Sequence, residues 1–331
     1  MFGKSIARLR EMLFPVVQKM RRVSIDRCGA AAPIVMPAED IDAFRERMFA
    51  YWAGFGHPRA TCEMFLRDAF NTDGYVDAVS RALHVMGDLR GKAVLDVGCG
   101  WGGLSRVLAN CGAKLTMVDP NPPHVEIARA RVPDGTGIVG SGADLAGVGL
   151  AQASFDHVFV YSVIEHVGLP PDHRGDAAPV LDIQRRVIAE AARVLKPGGC
   201  MMVSTGNHQF PFDGEVQIWF FHYLPRSVQL ELLNMTGRSA DRYGLLTWPQ
   251  LLGMTDAAGM QLAQVETCDT GGLTRDLERW IGSLMSAEAQ SQSQATLDRL
   301  RTMVRSDPNW MPMWHAFFRK PEHADAAVRS A

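Results

Sequence analysis

Lys92-Ala93-Val94-Leu95-Asp96-Val97-Gly98-Cys99-Gly100-Trp101-Gly102-Gly103 is the stretch on which the reading of this chain turns. Val94, Leu95 and Val97 form a short apolar run suited to a parallel strand covered on both faces. Gly98, Gly100 and Gly102 follow, and without Cβ atoms they let the backbone turn tightly and approach a ligand. Leu104, Val107 and Leu108 then return at helical spacing, and Gly112 supplies a stop. A strand, a glycine-rich turn and a helix start make a nucleotide-binding βα unit, with backbone amides facing the ligand.

Working outward, Gly98, Gly100 and Gly103 satisfy the dinucleotide pattern G-x-G-x-x-G, which is weak evidence on its own. Asp96 lies two residues before the first glycine. Asp119 ends the next apolar stretch (Leu115, Met117, Val118), one βαβ step later, where a carboxylate can accept both hydroxyls of a ribose. Two more stretches follow in order: Ser154-Phe155-Asp156-His157-Val158-Phe159-Val160-Tyr161-Ser162-Val163-Ile164-Glu165-His166, then Val194-Leu195-Lys196-Pro197-Gly198-Gly199. The series resembles the class I S-adenosylmethionine-dependent methyltransferases, from roughly Gly87 to Pro321.

That resemblance implies an α/β fold: a doubly wound, Rossmann-like seven-stranded sheet with an antiparallel last strand, plus N-terminal helices and helical cap insertions. It implies S-adenosyl-L-methionine as cofactor, held by Asp96, Gly98, Cys99, Gly100, Gly102, Asp119, Pro120, Asp144, Leu145 and Tyr161. Asp144 would accept from the adenine amino group; read from the residues alone, it N-caps a short following helix.

Composition narrows the classes. The chain has 331 residues, a net charge of −2 and 47% hydrophobic residues, so no global basic character points to nucleic acid. No apolar run reaches 18 residues. Six scattered cysteines lack C-x-x-C spacing and read as reduced thiols of a cytosolic protein, with no metal site expected. Asn121-Pro122-Pro123-His124 looks like the motif of amino-methyltransferases acting on adenine or glutamine. Here it follows the second strand rather than the fourth and ends in His, so it reads as a helix start with proline in the first turn.

The expected organisation is an N-terminal helical region over residues 1–90, a methyltransferase domain over 91–321 with cap insertions at 205–243 and 270–310, and a flexible tail at 322–331. Residues 1–27 carry seven basic and two acidic side chains on an amphipathic stripe of Phe2, Ile6, Leu9, Leu13, Val16 and Met20. Such a helix, through residues 1–25, either touches an anionic membrane surface or packs on protein. Three further helices are expected over Asp40–Trp52, Thr61–Phe70 (with Thr61 as N-cap) and Tyr75–Met86. By resemblance they would form a lid, with Trp52, Phe70 and Tyr75 over the site.

For the chemistry, a histidine of near-neutral pKa suits deprotonation of a hydroxyl. His166, His208 and His222 are the candidate bases, with Glu165-His166 expected to open a helix. The long stretch after the fifth strand holds His208, Phe210, Phe212, Trp219, Phe220, Phe221, His222 and Tyr223, the composition of a small-molecule pocket. Gly206-Asn207-His208-Gln209-Phe210-Pro211-Phe212-Asp213 and His222-Tyr223-Leu224-Pro225 are similar to a bacterial subgroup associated with glycan or lipid-linked saccharide pathways. Thr247-Trp248-Pro249-Gln250 is a capping box.

The expected activity is O-methylation of a small molecule or glycan. The alternatives are a C-methyltransferase or cyclopropane-type lipid enzyme sharing Gly-Cys-Gly-Trp-Gly-Gly, a non-catalytic cofactor-binding scaffold, and an NAD-dependent oxidoreductase.

Overall fold

The computed structural model describes residues 34–168, 178–213, 218–225, 244–267 and 313–322, with a few positions between 228–235 and 298–311. The basic segment 1–25, nearly all of the 270–310 insertion and most of the tail lie outside the described residues.

The strands are β1 (Ala93–Val97), β2 (Lys114–Asp119), β3 (Thr136–Val139), β4 (Phe155–Tyr161), β5 (Leu195–Gly206), the short β6 (Phe212–Asp213) and β7 (Ile218–Trp219), β8 (Gln261–Thr267) and β9 (Met313–Arg319). The helices are α1 (Asp42–Ala53), α2 (Arg59–Ala69), α3 (Thr72–Met86), α4 (Gly103–Asn110), α5 (Pro122–Arg131), α6 (Ala178–Val194) and α7 (Trp248–Ala257). Seven strands form one sheet in the order β3-β2-β1-β4-β5-β9-β8, and β6 pairs with β7 as a separate hairpin. Strands β1 to β5 run parallel, and β9 lies antiparallel between β5 and β8. The doubly wound sheet with an antiparallel last strand is therefore present as expected.

Alternation along the strands explains why both faces are covered. Leu95, Val158, Val160, Met201, Val203, Ala316 and Phe318 pack with α6 and α7. Val94, Phe159, Met202 and Phe317 point the other way, against α3 and α4. A period of two with apolar residues on both sides leaves no solvated face. Lys196-Pro197-Gly198-Gly199 forms an irregularity in β5: Phe155 pairs with Leu195, and regular pairing resumes at His157 and Cys200.

Several local expectations shift. The second helix begins at Arg59, two residues before the expected cap at Thr61. Proline does start α5, but Asn121 makes no side-chain cap; its amide instead donates to Asp119 Oδ1 at 2.9 Å. Glu165-His166 opens no helix. The chain turns there, and α6 begins only at Ala178. The Thr247 capping box forms reciprocally with Gln250.

Two helices stand outside the sheet layers. Met48, Phe49 and Trp52 of α1 and Cys62 and Leu66 of α2 bury against each other and against Ile127 of α5, with Trp101 packed at the margin. The α1–α2 hairpin thus rests over the glycine-rich turn.

Candidate cofactor and acceptor sites

A cavity of about 200 Å³ opens at the carboxyl ends of β1 and β4, lined by Asp96, Gly98, Cys99, Gly100, Trp101, Gly103, Leu104, Tyr161, Ser162 and, from α3, Tyr75. Ligands of open α/β sheets bind in this position, outside the carboxyl ends of the strands. A larger hollow, about 390 Å³, lies between residues 34–41 and Phe70 and contains no part of the Gly98–Gly100 turn.

The loop glycines are not equivalent. A Cβ on Gly98 would sit 2.4 Å from a Val163 methyl carbon, and one on Gly103 would sit 2.4 Å from the Tyr75 ring. These two are required by packing. Gly100, at φ +50°, faces nothing within 4 Å. It is the point where the loop presents bare backbone to open space.

Two carboxylates flank this loop. Asp119 ends β2; its Oδ2 accepts from the Gly100 amide at 3.0 Å, and its Oδ1 accepts from the Asn121 amide at 2.9 Å. His124 Nδ1 lies 3.1 Å from the same Oδ1. Asp96 is buried, and its Oδ2 accepts from Ser105 Oγ at 2.5 Å. Burial pushes the Asp96 carboxyl up to about 7; the bond from Ser105 opposes this and the Asp119 charge adds to it. A pair of carboxylates with one held near neutrality can receive a cationic or hydroxyl-bearing ligand. Burial also pushes the Cys99 thiol far up, so it stays protonated and lines the wall without acting as a nucleophile.

Tyr161 ends β4 with its ring 5.8 Å from that of Tyr75 and 5.9 Å from that of His315. Ser162 follows at φ +50°, rare for a residue with a side chain, and its amide donates to Ser204 O at 2.8 Å. Strained backbone of this kind persists only where its surroundings over-determine it.

The remaining candidates are placed as follows. Gly102 presses on α5, where a Cβ would lie 2.9 Å from Ala128 Cα. Pro120 is exposed just past Asp119. The Gly140 amide donates to Asp119 O at 3.0 Å, which holds the segment leading to Asp144 beside the end of β2. Asp144 is exposed and caps a turn rather than a helix, its Oδ1 accepting from the Gly147 amide at 2.9 Å. Leu145 is wholly buried in the core beneath it.

Of the three histidines, the structure brings two together. The rings of His208 and His222 lie 5.1 Å apart, and Tyr223 packs against both, at 5.4 and 4.6 Å. Burial, then the charge of His222, holds His208 below its ordinary value, so it is neutral at pH 7. His166 is exposed at the turn after β4. Its neighbour Glu165 is buried and accepts from Thr205 Oγ1 at 2.9 Å, tying that turn to β5. Among the described residues, no group of three or more His, Cys, Asp or Glu could hold a metal ion.

Sequence reasoning passed over Ser162 and His315. Nothing in their neighbouring residues sets them apart; only the sheet brings β9 beside β5 and so places His315 against Tyr161.

Residues 95–203 match the family described as methyltransferase domain. The chain is 29% identical over 184 residues to a ubiquinone biosynthesis O-methyltransferase of Methylocella silvestris, covering 54% of this chain and 66% of that one. It is 38% identical over 124 residues to the protein of the same name from Xanthomonas oryzae pv. oryzae, covering 36% of this chain and 45% of that one. These matches span between about half and two thirds of the relatives' own length. Among solved structures, an S-adenosylmethionine-dependent methyltransferase from Archaeoglobus fulgidus superposes with a TM-score of 0.48 at 12% identity, covering 78% of this chain and 99% of that one. The matched residues run from β1 into β5, so the parallel part of the sheet described above carries the likeness to the methyltransferase domain.

Proposed function

We propose that this protein transfers the methyl group of S-adenosylmethionine to an oxygen of a small-molecule acceptor. The observation that carries the reading is the cradle at the end of β1: an open glycine backbone at Gly100, flanked by Asp96 and Asp119. The cofactor, when bound, supplies a methyl group already activated on a sulfonium. The protein's work is therefore orientation, which can lower a barrier by ~7–11 kcal/mol.

In this reading Asp119 accepts ribose hydroxyls, and Asp96 and the amides of the loop hold the amino-acid end. Asp144 and the backbone at Leu145 flank the base. Tyr75, Trp101 and Tyr161 exclude water, the α1–α2 hairpin serving as a lid. The acceptor's hydroxyl must lose its proton as its oxygen gains the methyl group. His208, neutral at pH 7, is the group best suited to take that proton, with His222 and Tyr223 beside it. His166, exposed on another segment, is the weaker candidate.

The two relatives, both named for O-methylation in ubiquinone biosynthesis, support an oxygen acceptor. A glycan or lipid-linked saccharide is the second acceptor class, favoured by the Gly206–Asp213 and His222–Pro225 runs. No described helix is long and apolar enough to cross a membrane. Contact of residues 1–25 with an anionic membrane surface remains part of this proposal, and co-sedimentation with anionic vesicles before and after their deletion tests it.

The activity is tested by following transfer of a labelled methyl group to phenolic and saccharide acceptors. Wild type should form S-adenosylhomocysteine with at least one of them, and His208→Ala should slow turnover by about 10²-fold or more. Full turnover by both His208→Ala and His222→Ala would remove these histidines from the mechanism.

A further inference from the structure

We propose that Arg131 is a positioning residue that couples docking of the N-terminal helices to the shape of the glycine-rich loop, so that cofactor affinity depends on Glu39. The inference rests on the cofactor reading above and extends it to residues outside the cavity.

Arg131 closes α5, and its side chain is 2% exposed. Its Nε donates to Glu39 Oε1 at 2.6 Å and its Nη2 to Oε2 at 2.9 Å, a two-pronged ion pair. Its Nη1 donates to the carbonyl of Trp101 at 2.7 Å and to that of Ala69 at 3.3 Å. The guanidinium carbon also lies 4.2 Å from the centre of the Phe70 ring. One planar group thus joins the segment before α1, the end of α2 and the middle of the glycine loop. Only a rigid fork of several N–H donors can do this; a lysine ammonium is a single point of charge.

Trp101 lies between Gly100 (φ +50°) and Gly102 (φ +78°). Glycine adopts either sign of φ at little steric cost, so the peptide between Trp101 and Gly102 keeps its orientation through its hydrogen bonds. Its amide donates to Cys99 O at 2.9 Å within the loop, and the charge-assisted bond from Arg131 to its carbonyl is the restraint that comes from outside the loop. The same hairpin also grips the Trp101 side chain, with the rings of Tyr51 and Trp52 at 5.2 and 5.4 Å. The peptide so fixed lies two peptides beyond the Gly100 amide, which donates to Asp119. When Glu39 and the hairpin release Arg131, the restraint on the Trp101 carbonyl goes with them.

Glu39→Ala and the milder Glu39→Gln test this in the full-length chain, since both leave the sheet and the loop residues intact. Two readouts are needed: amide hydrogen exchange without ligand, and titration with S-adenosylhomocysteine. The expected result for Glu39→Ala is faster exchange in residues 98–104 together with residues 59–70, and a Kd raised about fivefold or more. Glu39→Gln, which keeps a hydrogen-bond acceptor, should fall between Glu39→Ala and wild type. Faster exchange confined to residues 59–70, with loop exchange and Kd unchanged, would overturn the proposal and leave Arg131 a structural tie. Failure of wild type to bind would instead strike the proposed function, and the exchange data would still decide the coupling.

Discussion

At the scale of single residues, the loop glycines and Asp96 carry the sharpest expectations. Gly98→Ala drives a methyl group into Val163, whereas Gly100→Ala meets open space. Both positions have positive φ and share the cost of an L-residue there, roughly 1–2 kcal/mol. Gly98→Ala should therefore lower the melting temperature clearly further than Gly100→Ala, as thermal unfolding will show. Gly100→Ala should act mainly on ligand affinity. Asp96 makes a prediction with a definite sign. Its pKa rises from the ordinary 3.8 to about 7 on folding, so between those values the folded chain keeps a proton that the unfolded chain has lost. Its contribution to stability therefore falls as pH rises through that window and levels off above 7. Asp96→Asn can still accept from Ser105 and has no such titration. The stability of the variant minus that of wild type, from urea unfolding, should grow from pH 4 to 7; parallel pH profiles would refute the shift.

Secondary-structure elements show what could be read in advance and what could not. The run Val94–Val97, the stop at Gly87 and the capping box at Thr247 were legible because each rests on local chemistry: apolar run, positive φ, paired side chains. The capping box gives a local prediction: Thr247→Ala should cost about 1 kcal/mol in chemical unfolding. His166 misled because a Glu-His pair after a strand looks like a helix start. The actual constraint is the bond from Thr205 of β5 to Glu165 in the turn after β4, 40 residues away in sequence. Asp144 misled in the same way, since an aspartate that caps a turn and one that caps a helix use the same oxygen. The pairing of His208 with His222 was half legible. Both stood out in an aromatic stretch, but their contact depends on long-range geometry, with the His208 amide donating to Leu246 O at 2.9 Å.

Over the whole molecule, two buried histidines contribute to the acid limb of stability, against the opposite trend from Asp96. Burial holds His157 and His315 down at about 4, against the ordinary 6.5. The unfolded chain gains protons below pH 6.5 that the folded chain refuses until about 4, so their contribution to stability falls as pH drops across that range. His315→Asn should flatten that limb in urea titrations between pH 6.5 and 4. The sheet that buries these histidines also brings the ends of β1, β2 and β4 together, and the central claim is that this junction holds S-adenosylmethionine. Calorimetric titration of S-adenosylhomocysteine into wild type and Asp119→Ala, with NAD as control, tests it most directly. The account predicts binding to wild type, loss of about tenfold or more in affinity on removing the Asp119 carboxylate, and no heat with NAD. Binding of NAD in place of S-adenosylhomocysteine, or equal binding by wild type and Asp119→Ala, would contradict it.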